Sequence, residues 1–310
     1  MNLLVTGGAG FIGSNLADAL IDAGHNVTII DDLSTGRKEN VPQKAEFHKL
    51  EISSPVVDKI FERGEFEMVF HLAAQMDVRK SVQNPIFDAD VNILGGINLL
   101  QASVKHGVKK FIFSSTGGAV YGEQEYFPAD EKHPGNPISP YGVSKLALEK
   151  YLYYYWAEYK IPFISLRYAN VYGPRQNEKG EAGVVAIFCS RLLRGEKAVV
   201  NGDGLQTRDF VYVDDVVNSN LLAMRHDENG YFNVGTGLET DINTIFEMIK
   251  AATGSKQERI NGPGKPGEQK RSCITYELIK KELGWSPSVS LDEGIQKTVD
   301  YFKSKLKIKV

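Results

Sequence analysis

Apolar positions along the chain fall into two rhythms. Short unbroken runs, at Leu3-Leu4-Val5, Val27-Thr28-Ile29-Ile30, Met68-Val69-Phe70, Phe111-Ile112-Phe113 and Phe163-Ile164-Ser165-Leu166, alternate with longer stretches spaced at three and four. Continuous runs mark strands buried on both faces, and the helical spacing between them marks crossover helices. Helices are predicted over 11–23 (ending at Gly24), 56–61, 91–104 and 141–159, with a further short strand around Phe47. The alternation predicts an α/β fold, a doubly wound parallel sheet covered on both faces.

After Tyr172-Gly173-Pro174 the regularity loosens. A polar loop is predicted over 175–183, a helix over 184–193, and short strands near Val199 and over 210–213, with Asp214 capping the next helix. Gly and Pro over 261–267 predict a loop, and two amphipathic helices, 276–283 and 291–305, close the chain before a fraying basic end. The organisation that follows is a nucleotide-binding domain over 1–176 plus 207–238. A smaller, largely C-terminal substrate domain covers 177–206 plus 239–310.

At 310 residues the chain is long enough for one large or two medium domains. Its 36 Lys and Arg against 39 Asp and Glu give a net charge of −3, which argues against a nucleic-acid or anionic-membrane surface. Two distant cysteines, Cys189 and Cys273, offer neither a disulfide framework nor a metal-ligand spacing, so no metal is expected. No apolar stretch approaches the roughly 20 residues that span a bilayer, and Met1 to Thr6 reads as a strand rather than a signal peptide. A reducing, cytoplasmic setting is the expectation.

The first strand runs into Gly7-Gly8-Ala9-Gly10-Phe11-Ile12-Gly13, and the next ends at Asp31, 18 residues after Gly13. Free backbone N–H groups and the helix dipole make such a turn a seat for pyrophosphate, and glycines keep side chains out of its way. A carboxylate at the end of the second strand accepts from the adenosine ribose hydroxyls and repels a 2′-phosphate. The ordered set, a Rossmann-like fingerprint, predicts NAD rather than NADP.

Tyr141 and Lys145 stand one helical turn apart, so hydroxyl and ammonium share a face. A phenol with a pKa of about 10 is a poor base at neutral pH, and a neighbouring ammonium together with the positive nicotinamide ring is expected to lower it. Alcohol oxidation needs such a base. Ser114-Ser115-Thr116 ends the preceding strand, where folds of this kind bind ligands.

These motifs, with His71-Leu72-Ala73-Ala74, Asn92, 167–175, 207–211 and 266–272, resemble the extended short-chain dehydrogenase/reductases that act on nucleotide sugars. The resemblance is strongest to the UDP-glucose (UDP-hexose) 4-epimerases and covers nearly the whole chain. It implies inversion at C4 of a UDP-sugar through a transient 4-keto sugar, with NAD taking and returning the hydride. It implies that Tyr141 is the base, Lys145 its tuner and Thr116 the partner of the reacting oxygen. The cofactor would meet Gly7, Gly10, Phe11, Ile12, Gly13, Asp31, Asp32, Ser34, Gly36, Glu51, Ile52, Leu72, Ala73, Ala74, Asn92, Ser114, Tyr141, Lys145, Tyr168 and Val171. The substrate would meet Thr116, Tyr141, Asn170, Gly183, Val184, Val185, Val199, Arg208, Arg271 and Ser272, with Asn170 and the two arginines on the UDP pyrophosphate. Planar guanidinium groups suit phosphate oxygens on independent physical grounds.

Two departures from the family pattern stand out. Glu51-Ile52 occupies the place of an Asp before an apolar residue, and Ile274-Thr275 a place where Asp is common. Related 4,6-dehydratases and UDP-glucuronate decarboxylases carry acid after the strand-end Thr; here the positions read Gly117-Gly118-Ala119. Those activities, a UDP-glucuronate 4-epimerase and a non-catalytic NAD-binding relative stand as alternatives. The tyrosines of 151–155 and Trp156 read as core and subunit interface, so a homodimer is expected. His71 reads as a satisfied structural residue.

Overall fold

The computed structural model describes residues 1–178, 183–264 and 269–307. The predicted strands form β1 (Asn2–Thr6), β2 (Asn26–Asp31), β3 (Glu46–Lys49), β4 (Met68–His71), β5 (Lys110–Thr116) and β6 (Phe163–Tyr168). They continue with β7 (Asn170–Tyr172), β8 (Val199–Asn201), β9 (Thr207–Tyr212), β10 (Gly230–Val234), β11 (Glu239–Asp241) and β12 (Ile260–Gly262). The main sheet is wholly parallel in the order β10-β6-β5-β4-β1-β2-β3. Strand order reverses between β1 and β4, which opens a crevice at the carboxyl ends of those strands.

Leu3, Leu4 and Val5 are fully buried, as strands covered on both faces require. On one face Leu16, Ala17 and Leu20 of helix Phe11–Asp22 pack with Val216 and Val217 of helix Val213–Ala223 and with Ile279 and Trp285. On the other, Val57, Ile60 and Phe61 meet Leu99 and Leu100 of helix Gly95–Lys105 and Leu148, Leu152 and Tyr155 of helix Pro140–Tyr159. A third core gathers Val185 and Phe188, Ile245 and Phe246, and Val299 and Phe302. It lies against the small sheet β11-β9-β7.

Most predicted elements match within a few residues, and the differences have local causes. The helix predicted over 91–104 begins as a π turn at Asp90–Leu94 and becomes regular only from Gly95. Asp214 does not cap its helix; Tyr212 holds that place, and Asp214 sits in the first turn, where a carboxylate complements the dipole. Part of the loop predicted over 261–267 pairs as β12 with β8, and 265–267 lie outside the described residues. Residues 175–178 of the polar loop form no helix or strand, whereas 179–182 are outside the described set, as are 308–310 of the basic end. Unannounced by the apolar pattern are helices Val78–Gln83, Pro85–Ala89 and Ile242–Thr253 and strands β7, β10 and β11.

A buried ion pair fixes the long helix to the sheet beneath it. Both Glu149 carboxylate oxygens accept from Arg167 of β6, at 2.9 and 2.6 Å, and Ser165 adds a third bond at 2.9 Å. Buried charges persist only when paired this completely. Among the described residues no helix is long and apolar enough to cross a membrane.

Candidate active site

β1 leads straight into the glycine turn. Gly7 has φ +72°, and a Cβ there would come within 2.6 Å of the Ala73 nitrogen, so the backbone after β4 lies directly against the turn. A Cβ on Gly13 would overlap the Gly7 carbonyl oxygen. The helix Phe11–Asp22 starts at Gly10 with no side-chain cap, which leaves its first N–H groups for a ligand. The Asp31 carboxylate accepts from Ala9 N at 2.9 Å and Leu33 N at 2.8 Å. Burial nevertheless raises its pKa. The next residues wrap back: Arg37 N donates to Ala9 O at 2.9 Å, and Asp32 accepts from both the amide and the hydroxyl of Ser34. A Cβ at Gly36 would lie 2.8 Å from Asp31 Oδ1, so glycine keeps the chain close. This cradle fits a dinucleotide pyrophosphate and ribose.

Other residues predicted to meet the cofactor are engaged with neighbouring backbone and side chains. The Ile52 side chain is buried against Gly95, and its carbonyl accepts from Asn98 at 2.7 Å, while Glu51 is exposed. Leu72 packs on the core and Ala74 is half-buried. Asn92 lies inside the π turn with both amide hydrogens spent, on Gln75 O and on Asp88 Oδ1, and its oxygen accepts from Gln75 N. It shapes the loop after β4. Tyr168 is buried in the core, its hydroxyl receiving hydrogen bonds from Ser114 Oγ at 3.1 Å and Asn220 Nδ2 at 2.8 Å. Burial pushes its pKa to about 12. Val171 packs between two cores.

Ser139 caps the long helix by accepting from Gly142 N, and Pro140 fits its first turn. That start places Tyr141 in the first turn, half-buried, and Lys145 one turn further along, buried. Lys145 Nζ donates to Ser114 O at 2.9 Å and lies 4.7 Å from the centre of the Phe113 ring. Burial lowers its pKa to about 8, opposed by the charges of Asp88 and Glu149. From the sequence, Lys145 together with a bound, positive nicotinamide is expected to lower the Tyr141 pKa. In the protein alone the direction is the reverse: burial, then the Asp88 charge, raise the Tyr141 pKa. Lys145 is turned toward Ser114 O, with its Nζ 5.8 Å from the centre of the Tyr141 ring. His71 fits its structural reading, with Thr6 Oγ1 at 2.8 Å from Nδ1 and burial keeping the ring neutral.

Around Gly118 the substrate candidates converge. A Cβ on Gly118 would lie 3.8 Å from Thr116 Oγ1, 3.9 Å from Ser272 Oγ and 4.0 Å from Asn170 Oδ1. Three polar groups from distant segments therefore face one small space beside a segment that carries no acid. Arg208 donates to Thr207 O at 2.7 Å. Arg271 stacks 3.8 Å over Phe127 and is held in a two-pronged pair by Glu239, at 2.9 and 2.5 Å. Gly183 and Val184 begin helix Val184–Leu193, Val185 is buried in its core, and Val199 is exposed on an edge strand. Asp88, Phe127 and Glu239 escaped the sequence reading, since each is defined by a partner far away in the chain. Among the described residues no group of His, Cys, Asp or Glu could hold a metal ion.

The model of the NAD dependent epimerase/dehydratase family matches residues 3–235. This chain belongs to that family. It is 44% identical to the UDP-glucose 4-epimerase of Mycolicibacterium smegmatis, over 98% of this chain and 99% of that one. A UDP-glucose 4-epimerase of Thermotoga maritima, solved with UDP-glucose, superposes with a TM-score of 0.97 at 50% identity, covering 99% of this chain and all of that one. The Thermus thermophilus UDP-glucose 4-epimerase, solved with NAD, gives 0.94 at 42%, over 98% and 99% of the two chains. The chain is an enzyme of the epimerase/dehydratase type, and NAD is its cofactor.

Proposed function

We propose that the protein is a UDP-hexose 4-epimerase interconverting UDP-glucose and UDP-galactose. The observation that carries the reading is the convergence of Thr116, Asn170 and Ser272 about Gly118, in the acid-free segment Gly117-Gly118-Ala119. A site that eliminates water or loses carbon dioxide has use for an acid at 117–119; an epimerase needs only room for the sugar to turn. The pair of UDP-glucose 4-epimerases above, one of them holding UDP-glucose, supports the same substrate class.

The residues divide the work. The Gly7–Gly13 turn and Asp31 hold the dinucleotide. When bound, NAD supplies a reversible hydride acceptor and a positive charge. Tyr141 accepts the proton of the sugar hydroxyl as oxidation proceeds and returns it afterwards. Thr116 hydrogen-bonds the reacting oxygen, and Lys145 holds the phenol's surroundings positive. Asn170, Arg208 and Arg271 grip the UDP pyrophosphate, so binding energy comes from a part of the substrate that does not react. Weak sugar contacts then leave the ring free to present its other face.

The small Ser272 leaves space for an N-acetyl group, so UDP-N-acetylhexosamines belong to the proposed range. Three elements carry exposed apolar residues, Ile86 and Phe87 on helix Pro85–Ala89, Leu94 on the π turn, and Val143 and Tyr154 on the long helix, which suits a symmetric dimer in the cytoplasm. A panel of UDP-sugars, incubated with the purified protein and no added cofactor, tests the function by product analysis. UDP-galactose from UDP-glucose is expected, and pentose or 6-deoxy products alone would overturn it. Sedimentation as a monomer at micromolar concentration would remove the dimer.

A further inference from the structure

One carboxylate near the site has no part in the roles assigned so far. Asp88 lies on the short helix Pro85–Ala89 and is completely buried. It accepts three hydrogen bonds from three separate segments. Gln75 Nε2 reaches Oδ1 at 2.9 Å from the loop after β4, which lies against the glycine turn. Asn92 Nδ2 reaches the same oxygen at 3.1 Å from the π turn. Ser144 Oγ reaches Oδ2 at 2.7 Å from the long helix, beside Lys145. All three donors are neutral, and Ser144 stands next to Lys145, so the field of the carboxylate falls on Tyr141 and Lys145. π turns interrupt helices at a cost and gather at functional sites; here the interruption turns Asn92 inward onto Asp88 and Gln75.

We propose that Asp88 is a positioning residue for the catalytic pair: it clamps the cofactor-side loop to the start of the catalytic helix and sets a buried negative charge behind Tyr141 and Lys145. The proposal rests on Tyr141 and Lys145 being that pair. Other charges around them are accounted for. Glu149 is two-pronged to Arg167, and His71 is neutral. Arg79, Lys80 and Asp90 are exposed, and Asp77 pairs with Arg79.

Asp88→Asn is the discriminating variant. Its oxygen can still receive Gln75 and Asn92, and its NH2 can donate to the Ser144 hydroxyl, so the shape survives while the charge goes. The Asp88 charge raises the pKa of both Tyr141 and Lys145, so its loss lowers both. The pH profile of kcat for UDP-glucose should therefore move toward acid by about one unit, with KM changed by less than about twofold. Ser144→Ala removes one bond and no charge; it should lower the unfolding midpoint and leave the profile in place. Asp88→Glu restores the charge and should bring the profile back. It also serves as the test should Asp88→Asn fail to fold, because a shifted profile in the Glu variant contradicts the proposal. Equal profiles in wild type and Asp88→Asn, with only stability reduced, would reduce Asp88 to a structural clamp and overturn the electrostatic role. Tyr141→Phe separates the two failures: if that variant turns over normally, the catalytic assignment itself has failed.

Discussion

Gly13 sets the sharpest test of the cofactor cradle. In a helix, glycine to alanine ordinarily gains about 1 kcal/mol from reduced backbone entropy. Here the added methyl would overlap the Gly7 carbonyl oxygen and come within 2.8 Å of the Gly7 carbonyl carbon and 3.0 Å of Gly8 Cα. Every atom it meets is backbone, so no side chain can swing aside. Gly7 itself is held at φ +72° by the close approach of Ala73, and its carbonyl receives Gly10 N at 3.0 Å. Relief must come from displacing the turn, at the roughly 1–3 kcal/mol of an overpacked core. The clash outweighs the propensity gain, and the displaced turn is the pyrophosphate seat. Gly13→Ala should weaken NAD binding by about 5- to 150-fold, the same energy expressed as affinity. Gly24→Ala is the control: φ is +84° but nothing lies within 4 Å, so it should cost stability and spare NAD. The assay is NAD titration of nucleotide-free protein beside thermal unfolding. Wild-type affinity in Gly13→Ala would show that the turn does not seat the cofactor.

Tyr141→Phe should lower kcat by about 100- to 10,000-fold while unfolding and NAD affinity stay unchanged, and steady-state turnover checks it. Glu239→Gln removes the charge that fixes Arg271; KM for UDP-glucose should rise modestly, by no more than about fivefold because the pair is exposed, with kcat unaltered. Ser272→Tyr should abolish turnover of UDP-N-acetylglucosamine and spare UDP-glucose; equal effects on both sugars would refute the steric reading of that position.

The nucleotide-binding half was legible because its chemistry is local. Apolar runs such as Leu3 to Val5 and Phe111 to Phe113 cannot be solvent-facing, and the glycine spacing states where a ligand must approach the backbone. The elements that escaped detection have weaker local signatures. β10 carries Asn233 between Phe232 and Val234 and enters the main sheet only because β6 offers its free edge. The π turn at Asp90–Leu94 keeps an ordinary helical pattern of apolar residues, so nothing in the spacing marks the extra residue. β11 owes its existence to pairing with β9, in which Asp209, Arg208 and Thr207 meet Glu239, Thr240 and Asp241.

Within the candidate site, helical spacing marked Tyr141 and Lys145 as neighbours but not the burial that acts on their charges. Tyr141 and Lys145 share a helical face, yet a face does not fix a distance or a dielectric. The lysine turns to the Ser114 carbonyl, and burial with Asp88 behind it drives the phenol away from the ionised form. On the proposed mechanism, a phenol whose pKa is raised in the protein alone gains basicity when the positive nicotinamide binds beside it. That arrangement couples proton removal to the presence of the oxidised cofactor, because the same event that brings the hydride acceptor also brings the charge that favours the phenolate. Asp88 sharpens the coupling: by raising the pKa of Tyr141 it opposes the phenolate, and by raising that of Lys145 it keeps the ammonium charged. On the proposed reading the pair at i and i+4 works with a carboxylate 53 residues before Tyr141 in the chain, whose position no helical periodicity could announce.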